Sequence, residues 1–492
     1  MEIKIPKWIF LLALIIRVIP VLAAYNLGIG LDDMHQYDML GRSLVSGNGY
    51  RWYAEPDLDL IRPYITVDLT NVDYDPRGIE AAFRAPMYPI FLSVIYFFGG
   101  LARRFFFARL AQAMLSAMLA PMAYVLARRI DPGHERTARI AALIVAMYPI
   151  LALYPLALAT ENLFFVLALG TVLLLLRGAQ GNRTIGGEQP ESEPGEWERP
   201  GLRWFILAGA VLGLGILTRS VLAFFLPFAM FWIWKFARSL RGAVFFAAAA
   251  GAVVFPWALR NSIFAGRPAF VEISLGYNLY MGYHPESSGT FQFGISTDLL
   301  SIFNDMDRDT IGTRKALAFI RDDPGRVPQL VINKAGYFFG LERRAIQYFY
   351  SSNFFGYLPP TALLGLALFI LLPFVLLVPS AAFGAAATPR SDAKVLVALF
   401  LAAYITPHLL ILAEERFHMT LIPFLAVFAA AAIVRRREIF ASLRAPFGWR
   451  RWVLPALVSL LLLANWGYEL WADRAHLSVL LAPGGNESYF PY

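Results

Sequence analysis

Ionisable side chains are scarce in this chain, and those standing beside its apolar runs are the groups with chemistry to offer. Asp32 and Asp33 follow the first run, Arg84 stands in Phe-Arg-Ala-Pro-Met-Tyr-Pro, and Glu161 lies in Ala-Thr-Glu-Asn. Arg219, Arg260-Asn261 and Glu414-Glu415-Arg416 mark the ends of later runs. A charge at the centre of a membrane-crossing helix costs about 2.5–3.5 kcal/mol on insertion scales, so each such position is informative. Carboxylates supply general acids and bases, and guanidinium groups bind and stabilise phosphate charge. Acids and arginines gathered at one membrane surface suit an anionic, amphiphilic ligand.

Each position also has a plainer reading. Arg17, inside the first run, reads as a buried structural partner or a snorkelling charge. Asp32 and Asp33 suit a helix cap, Glu161 a helix-start carboxylate favoured by the macrodipole, and Arg84 a lipid-headgroup contact. The glutamates of 188–198 read as solvated loop. His35, His134, His284, His408 and His418 sit on different segments with no HxxxH pair, so no histidine metal cluster is expected. The absence of cysteine excludes disulfides, thiolate metal sites and cysteine nucleophiles. No GxxxxGK[ST] occurs, and no GxSxG with suitable partners, so cytoplasmic nucleotide chemistry is unsupported.

The elements that must position these groups are membrane helices. The chain is 58% hydrophobic and 16% charged, against about 25% charged in soluble proteins. Apolar blocks fall at 8–25, 105–127, 138–154, 162–177, 204–218, 220–235, 242–259, 357–382, 393–412, 418–434 and 452–471. At about 20 residues per crossing, with a range of about 17–25, they predict an all-α bundle of about eleven spans. Loop charges orient it. One alternate set holds Lys4 and Lys7; Arg128, Arg129 and Arg136; Lys235, Arg238 and Arg241; Arg390 and Lys394; and Arg435, Arg436, Arg437, Arg444, Arg450 and Arg451. The other set of short loops, 155–161, 219 and 413–417, is nearly bare, which predicts a cytoplasmic N-terminus and places the acids and arginines outside. The same asymmetry accounts for the net charge of +8 and pI near 9.5 without nucleic acid. The first run, interrupted by Arg17, reads as a retained signal anchor.

Residues 178–203, rich in Gly, Pro and Glu, predict a flexible cytoplasmic linker, whereas the outer segments 26–104 and 260–356 are long enough to be functional. Met34, Tyr37, Leu40, Leu44 and Val45 predict a surface helix ending at Gly47-Asn48-Gly49. Residues 87–100 read as an interfacial or re-entrant helix, since a crossing there would invert every later loop. A unit of 1–435 carries the site, and 436–492 adds a basic cytoplasmic loop, a last span and a short outer tail.

An ordered set of short motifs gives a resemblance. Asp33…Tyr37…Leu44…Gly47-Asn48-Gly49, Arg84-Ala-Pro-Met-Tyr88-Pro, Tyr154…Thr160-Glu161 and Gly213-Leu-Gly-Ile-Leu-Thr-Arg219 come first. Trp257-Ala-Leu-Arg260-Asn261, Gly276-Tyr-Asn278-Leu…Gly282 and Glu415-Arg416-Phe417…Pro423 follow. Over residues 8 to about 435 this order resembles the GT-C superfamily of glycosyltransferases, within it the bacterial relatives of protein O-mannosyltransferase and the aminoarabinose (lipid A) transferase.

The resemblance implies a GT-C helix bundle with surface helices in the first outer loop, a polyprenyl-phosphate sugar donor, and inverting transfer outside a prokaryotic inner membrane. It implies an acid after the first span as catalytic base; Asp33 fits by its distance to Tyr37, and adjacent Asp32 leaves that choice open. Glu161 stands where the family places a second acid. Arg84, Arg260 and Arg416, and less strongly Arg219, are candidates for the donor phosphate; Tyr37, Tyr88, Asn261, Asn278, Tyr283 and His284 are candidate substrate contacts. No cofactor is implied firmly, although Asp33 and Glu161 leave room for a divalent cation. Without a sensor domain or an Asp-Glu pair after the first span, a protein acceptor is not implied. The competing readings are a lipid-linked sugar flippase or transporter, against which stands the lack of an internal repeat, and a polysaccharide polymerase or ligase using a lipid diphosphate.

Overall fold

A computed structural model of the chain describes residues 5–30, 33–63, 67, 69, 72–183, 201–343, 359–480 and 482. Asp32 and residues 184–200 of the expected linker lie outside them. Helix α1 spans Lys7–Ala23, α2 Asp33–Val45, α3 Glu55–Ile61, α4 Met87–Gly99, α5 Arg104–Ile130, α6 Glu135–Met147, α7 Pro149–Leu153 and α8 Glu161–Arg183. Then come α9 Leu202–Thr218, α10 Phe225–Lys235, α11 Leu240–Ala265, α12 Leu275–Tyr283, α13 Phe293–Leu300, α14 Asp305–Asp322 and α15 Arg326–Phe338. The last are α16 Pro360–Ala387, α17 Asp392–Leu410, α18 Ile422–Val434, α19 Arg436–Arg444, α20 Val453–Ala472 and α21 Arg474–Leu480. One short antiparallel ladder, β1 (Arg51–Trp52) on β2 (Ile79–Glu80), pairs Arg51 with Glu80 and Trp52 with Ile79.

Helices occupy all eleven apolar blocks among the described residues, and the protein is a multi-pass membrane protein. Among the described residues seven helices are long and apolar enough to cross a bilayer, or eight if the bent pair Glu135–Met147 and Pro149–Leu156 is one span. The count of eleven is therefore not reached on length and composition: Lys7–Ala23, Leu202–Thr218 and Ser220–Lys235 are shorter than the rest. Helix α8 also runs to Arg183, into the stretch expected to be linker. The surface helix ends as its sequence predicts, Gly47 taking φ of 75° just past it, where a side chain would be strained.

Breaks in the bundle are tied off by buried polar side chains. Proline removes a donor and disfavours helix in the residue before it, so α6 stops at Tyr148-Pro149 and the axis bends by 54°. Arg17 answers that break. Wholly buried, it donates to the carbonyls of Val145 and Ala146, each at 2.9 Å, and to Ser116 Oγ at 2.8 Å. The structural reading of Arg17 is the one the geometry matches. Two more side chains of α5 serve the irregular turn before α8. Arg109 donates to the Leu156 carbonyl at 2.8 Å, and Gln112 to those of Pro155 and Ala157 at 2.9 and 3.1 Å. That turn delivers Glu161.

A second network fixes α2. Buried Asp38 accepts from Arg42 at 2.8 Å, Arg104 at 2.7 Å and the Tyr96 hydroxyl at 3.0 Å, joining α2 to α4 and α5. Arg42 reaches Asp57 of α3 at 2.6 Å. Met34, Tyr37, Tyr88, Leu92 and Tyr96 pack in one apolar cluster beneath it.

Replacing Arg17 by Leu leaves the Val145 and Ala146 carbonyls without their donor, at about 1–3 kcal/mol for each unsatisfied group. The expected result is a lower thermal unfolding midpoint in detergent, read by fluorescence-detected size exclusion. An unchanged midpoint would remove Arg17 as the clasp.

Candidate active site

The first long loop meets the turn after α17, and Asp33 sits at their meeting point. Its carboxylate is bridged by two guanidinium groups distant in sequence: Arg84 on one oxygen and Arg416, at 3.1 Å, on the other. Gln36, one helical turn after Asp33, holds Arg84 as well, its Oε1 accepting at 2.8 Å from Nε. Arg416 is paired in turn with buried Glu414 at 2.7 Å. The Asp33 side chain keeps 35% exposure, so a ligand can reach it. Burial by itself would raise its carboxyl, but Arg84 first and Arg416 after it outweigh that and hold it well below the usual carboxylate range.

A second pair adjoins the first. Glu161, at the start of α8, is ion-paired with Arg219, which ends α9, and the Thr160 hydroxyl donates to its other oxygen at 3.1 Å. Arg416 lies within electrostatic reach of Glu161, and Tyr37 lies among Arg84, Asp33, Glu161 and Arg219. The Arg219 guanidinium stands over the Phe417 ring at 4.9 Å, and that of Arg84 over Tyr37 at 5.2 Å. Tyr88 meets Tyr37 edge-on, with ring centroids 5.0 Å apart, and its hydroxyl donates to Gln112 at 2.6 Å.

Arg84 is aimed by its backbone. Asp305, buried at the start of α14, accepts from the N–H groups of Ala82 at 2.8 Å and Phe83 at 3.0 Å. The Tyr50 hydroxyl donates to the Arg84 carbonyl at 2.9 Å. Arg260 supports the same segment: it donates to the Ala81 carbonyl at 2.6 Å and stands over Trp257 at 5.1 Å. Asn261 donates to the carbonyls of Phe270 and Val271, both at 2.9 Å. These two residues, expected to touch substrate, hold backbone here.

The structure thus brings together Asp33, Arg84, Arg416, Glu161, Arg219, Tyr37 and Tyr88. Half-buried Asn278 follows Tyr277, whose ring meets Phe83 at 5.4 Å. Tyr283 and His284 are engaged elsewhere: the Tyr283 hydroxyl donates to the Leu410 carbonyl at 2.7 Å, and His284 packs against Tyr280 and Phe319 at 5.2 and 5.5 Å. Gln36 and Asp305 are additions that the sequence reading did not contain. Gln36 was open to discovery, being one turn from Asp33, whereas Asp305 contacts residues more than two hundred positions away. Among the described residues no three His, Asp or Glu side chains converge as a metal site. Both Asp33 oxygens and one of Glu161 meet guanidinium groups, and the second Glu161 oxygen accepts from the Thr160 hydroxyl.

Comparisons with known proteins follow this geometry. Residues 91–267 match the family model of dolichyl-phosphate-mannose-protein mannosyltransferase, a segment that includes Glu161, Arg219, Arg260 and Asn261 but not Asp33, Arg84 or Arg416. No curated protein matches the chain. Among solved structures, the oligosaccharyltransferase of Archaeoglobus fulgidus tethered to an acceptor peptide is 13% identical, with a TM-score of 0.50 over 99% of this chain and 59% of that one. The archaeal oligosaccharyltransferase AglB from the same organism, in complex with an inhibitory peptide and a dolichol-phosphate, gives 14% identity and 0.48 over 99% and 60%. ArnT from Cupriavidus metallidurans bound to undecaprenyl phosphate gives 14% and 0.39 over 89% and 81%. The chain therefore spans about three fifths of the archaeal structures it matches.

A carboxyl depressed on folding adds stability above its unfolded value, near about 4, and loses it only as pH falls through the lower folded value. The ion bridge is therefore expected to contribute evenly from pH 8 down to about 5. Melting curves of wild type and Asp33→Asn should keep a constant separation across that range; a separation that closes near neutral pH would refute the depressed carboxyl.

The bundle thus shares the fold of the archaeal oligosaccharyltransferase, and its residues 91–267 match the mannosyltransferase family model.

Proposed function

We propose that the chain moves a sugar from a polyprenyl-phosphate carrier to an acceptor hydroxyl or amine, with inversion, at the outer face of a prokaryotic inner membrane. The observation that carries this reading is the carboxylate of Asp33 held between Arg84 and Arg416 at a reachable position. The donor's phosphodiester is a monoanion whose two non-bridging oxygens can take one guanidinium group each, and its charge grows towards that of a monoester as the sugar leaves, which strengthens the pairing. Donor binding then draws Arg84 and Arg416 onto the phosphate and releases Asp33.

The exchange does two things. Relieved of two positive neighbours, Asp33 regains basicity and takes the acceptor's proton as the new bond to the anomeric carbon forms; such a base is typically worth about 10²–10⁴ in rate. The bond from the anomeric carbon to the phosphate oxygen breaks, and the arginines stabilise the charge growing there, favouring the transition state over the ground state. Without donor the base stays masked. Arg219, paired with Glu161, borders this site and orients it. The likenesses named above support the carrier class, since one of those proteins is described with a dolichol-phosphate and another with undecaprenyl phosphate.

Three arginines side by side favour one second reading, a lipid diphosphate donor of the polymerase or ligase kind. Labelled lipid-monophosphate and lipid-diphosphate sugars offered to purified protein separate the two. The account expects loss of sugar from the monophosphate only; release from the diphosphate alone would overturn it.

Asp33→Asn is expected to lower turnover by about 10²-fold or more while the protein still elutes as a folded species. Normal turnover would end the assignment of Asp33 as base. Sidedness has its own test, made simple by the absence of cysteine. In intact cells a membrane-impermeant maleimide should label Asp59→Cys and spare Arg437→Cys; the reverse pattern would put the site on the cytosolic face.

A further inference from the structure

Glu272 is the acid of this region that the proposed reaction leaves without a task. Asp33, Glu161 and Glu414 are each ion-paired with an arginine. Among the described residues Glu272 has no such pair; its partner is the Ser220 hydroxyl, which donates to Oε1. Ser220 follows Arg219 directly, and Ile273, next after Glu272, is hydrogen-bonded to Ala82, two residues before Arg84. The carboxylate therefore stands between the carriers of two site arginines, half-buried.

Its backbone is pinned on both sides. Trp257 Nε1 donates to the Val271 carbonyl at 2.9 Å, and Asn261 Nδ2 to those of Phe270 and Val271, both at 2.9 Å. On the other side the Ile273 N–H donates to the Ala82 carbonyl at 2.8 Å, two residues before Arg84. Four hydrogen bonds fix one short segment in register with the strand that delivers Arg84. Such support is what a binding group needs to meet a ligand at fixed distance and angle. A free chain end would not need it. An ionised carboxylate has about four acceptor positions, and one hydroxyl occupies one of them.

We propose that Glu272 recognises the sugar of the donor, accepting hydrogen bonds from a pair of ring hydroxyls, with Ser220 orienting the carboxylate behind it. The inference rests on the phosphate reading given above, because the sugar is located by the phosphate it is esterified to. With that phosphate on Arg84 and Arg416, the ring hangs one ester bond away, on the side of Arg84 where Glu272 stands. A buried acceptor left without its donor is penalised, so this site discriminates against carriers that lack the matching hydroxyls.

Binding to protein in nanodiscs tests this with three probes: bare polyprenyl phosphate, a panel of polyprenyl-phosphate hexoses, and ring-deoxy analogues of the hexose bound most tightly. Wild type is expected to bind one hexose-bearing carrier about 10- to 100-fold more tightly than the bare one. Glu272→Gln should erase that preference, and with it the penalty for the deoxy analogues, while leaving bare polyprenyl phosphate unchanged. Ser220→Ala should erase part of it. A full preference in Glu272→Gln, or none in wild type, overturns the proposal. Equal loss of bare-carrier affinity in Glu272→Gln also overturns it, marking the residue as structural. The underlying phosphate reading fails separately, if Arg84→Gln and Arg416→Gln bind bare polyprenyl phosphate as wild type does.

Discussion

Two guanidinium groups on one carboxylate set the terms for the rest of this molecule. Arg84 and Arg416 reach Asp33 from 51 and 383 residues away, so the bridge forms only where the first long loop and the turn after α17 meet. Half-buried cations beside a bilayer need a counter-charge, since their self-energy rises steeply as water is lost. Asp33 meets that need in the free protein, and an anionic ligand meets it better. In the proposed reaction the same requirement prepares the site for a phosphate.

Much of the surrounding structure exists to hold that meeting point. The Asp38 network fastens α2 to its neighbours, and Asp305 grips the backbone immediately before Arg84. Below, polar side chains of α1 and α5 answer carbonyls exposed where prolines interrupt helices. Irregular backbone survives at membrane depth only when protein groups satisfy it. Here the irregular turn at 154–160 ends at Glu161, so structural repair and site construction share the same residues.

How much was legible in the sequence differs by residue. The helical blocks were, because apolar length is a direct physical requirement, and α2 was, because its period and its Gly-Asn-Gly end are local signals. Asp33, Arg84 and Arg416 could be named individually, since charges next to apolar runs stand out. Their direct contact could not, because it depends on how the first long loop folds against the turn after α17. At Arg260 and Asn261 a motif position suggests ligand contact, and the structure adds that the side chains hold the backbone on which Arg84 and Glu272 ride. Glu272 carried no local signal at all. Its significance comes from having a hydroxyl where its neighbours have arginines, a comparison only three-dimensional placement allows. The full set of eleven spans likewise exceeds what helix length supports, as the shorter apolar helices leave their crossing open to either arrangement.

The most direct measurement is a structure of the protein with polyprenyl phosphate bound. The account predicts the phosphate on the guanidinium groups of Arg84 and Arg416, with both withdrawn from Asp33 and that carboxylate facing the acceptor side. A phosphate seated elsewhere, with the Asp33 bridge intact, would contradict it.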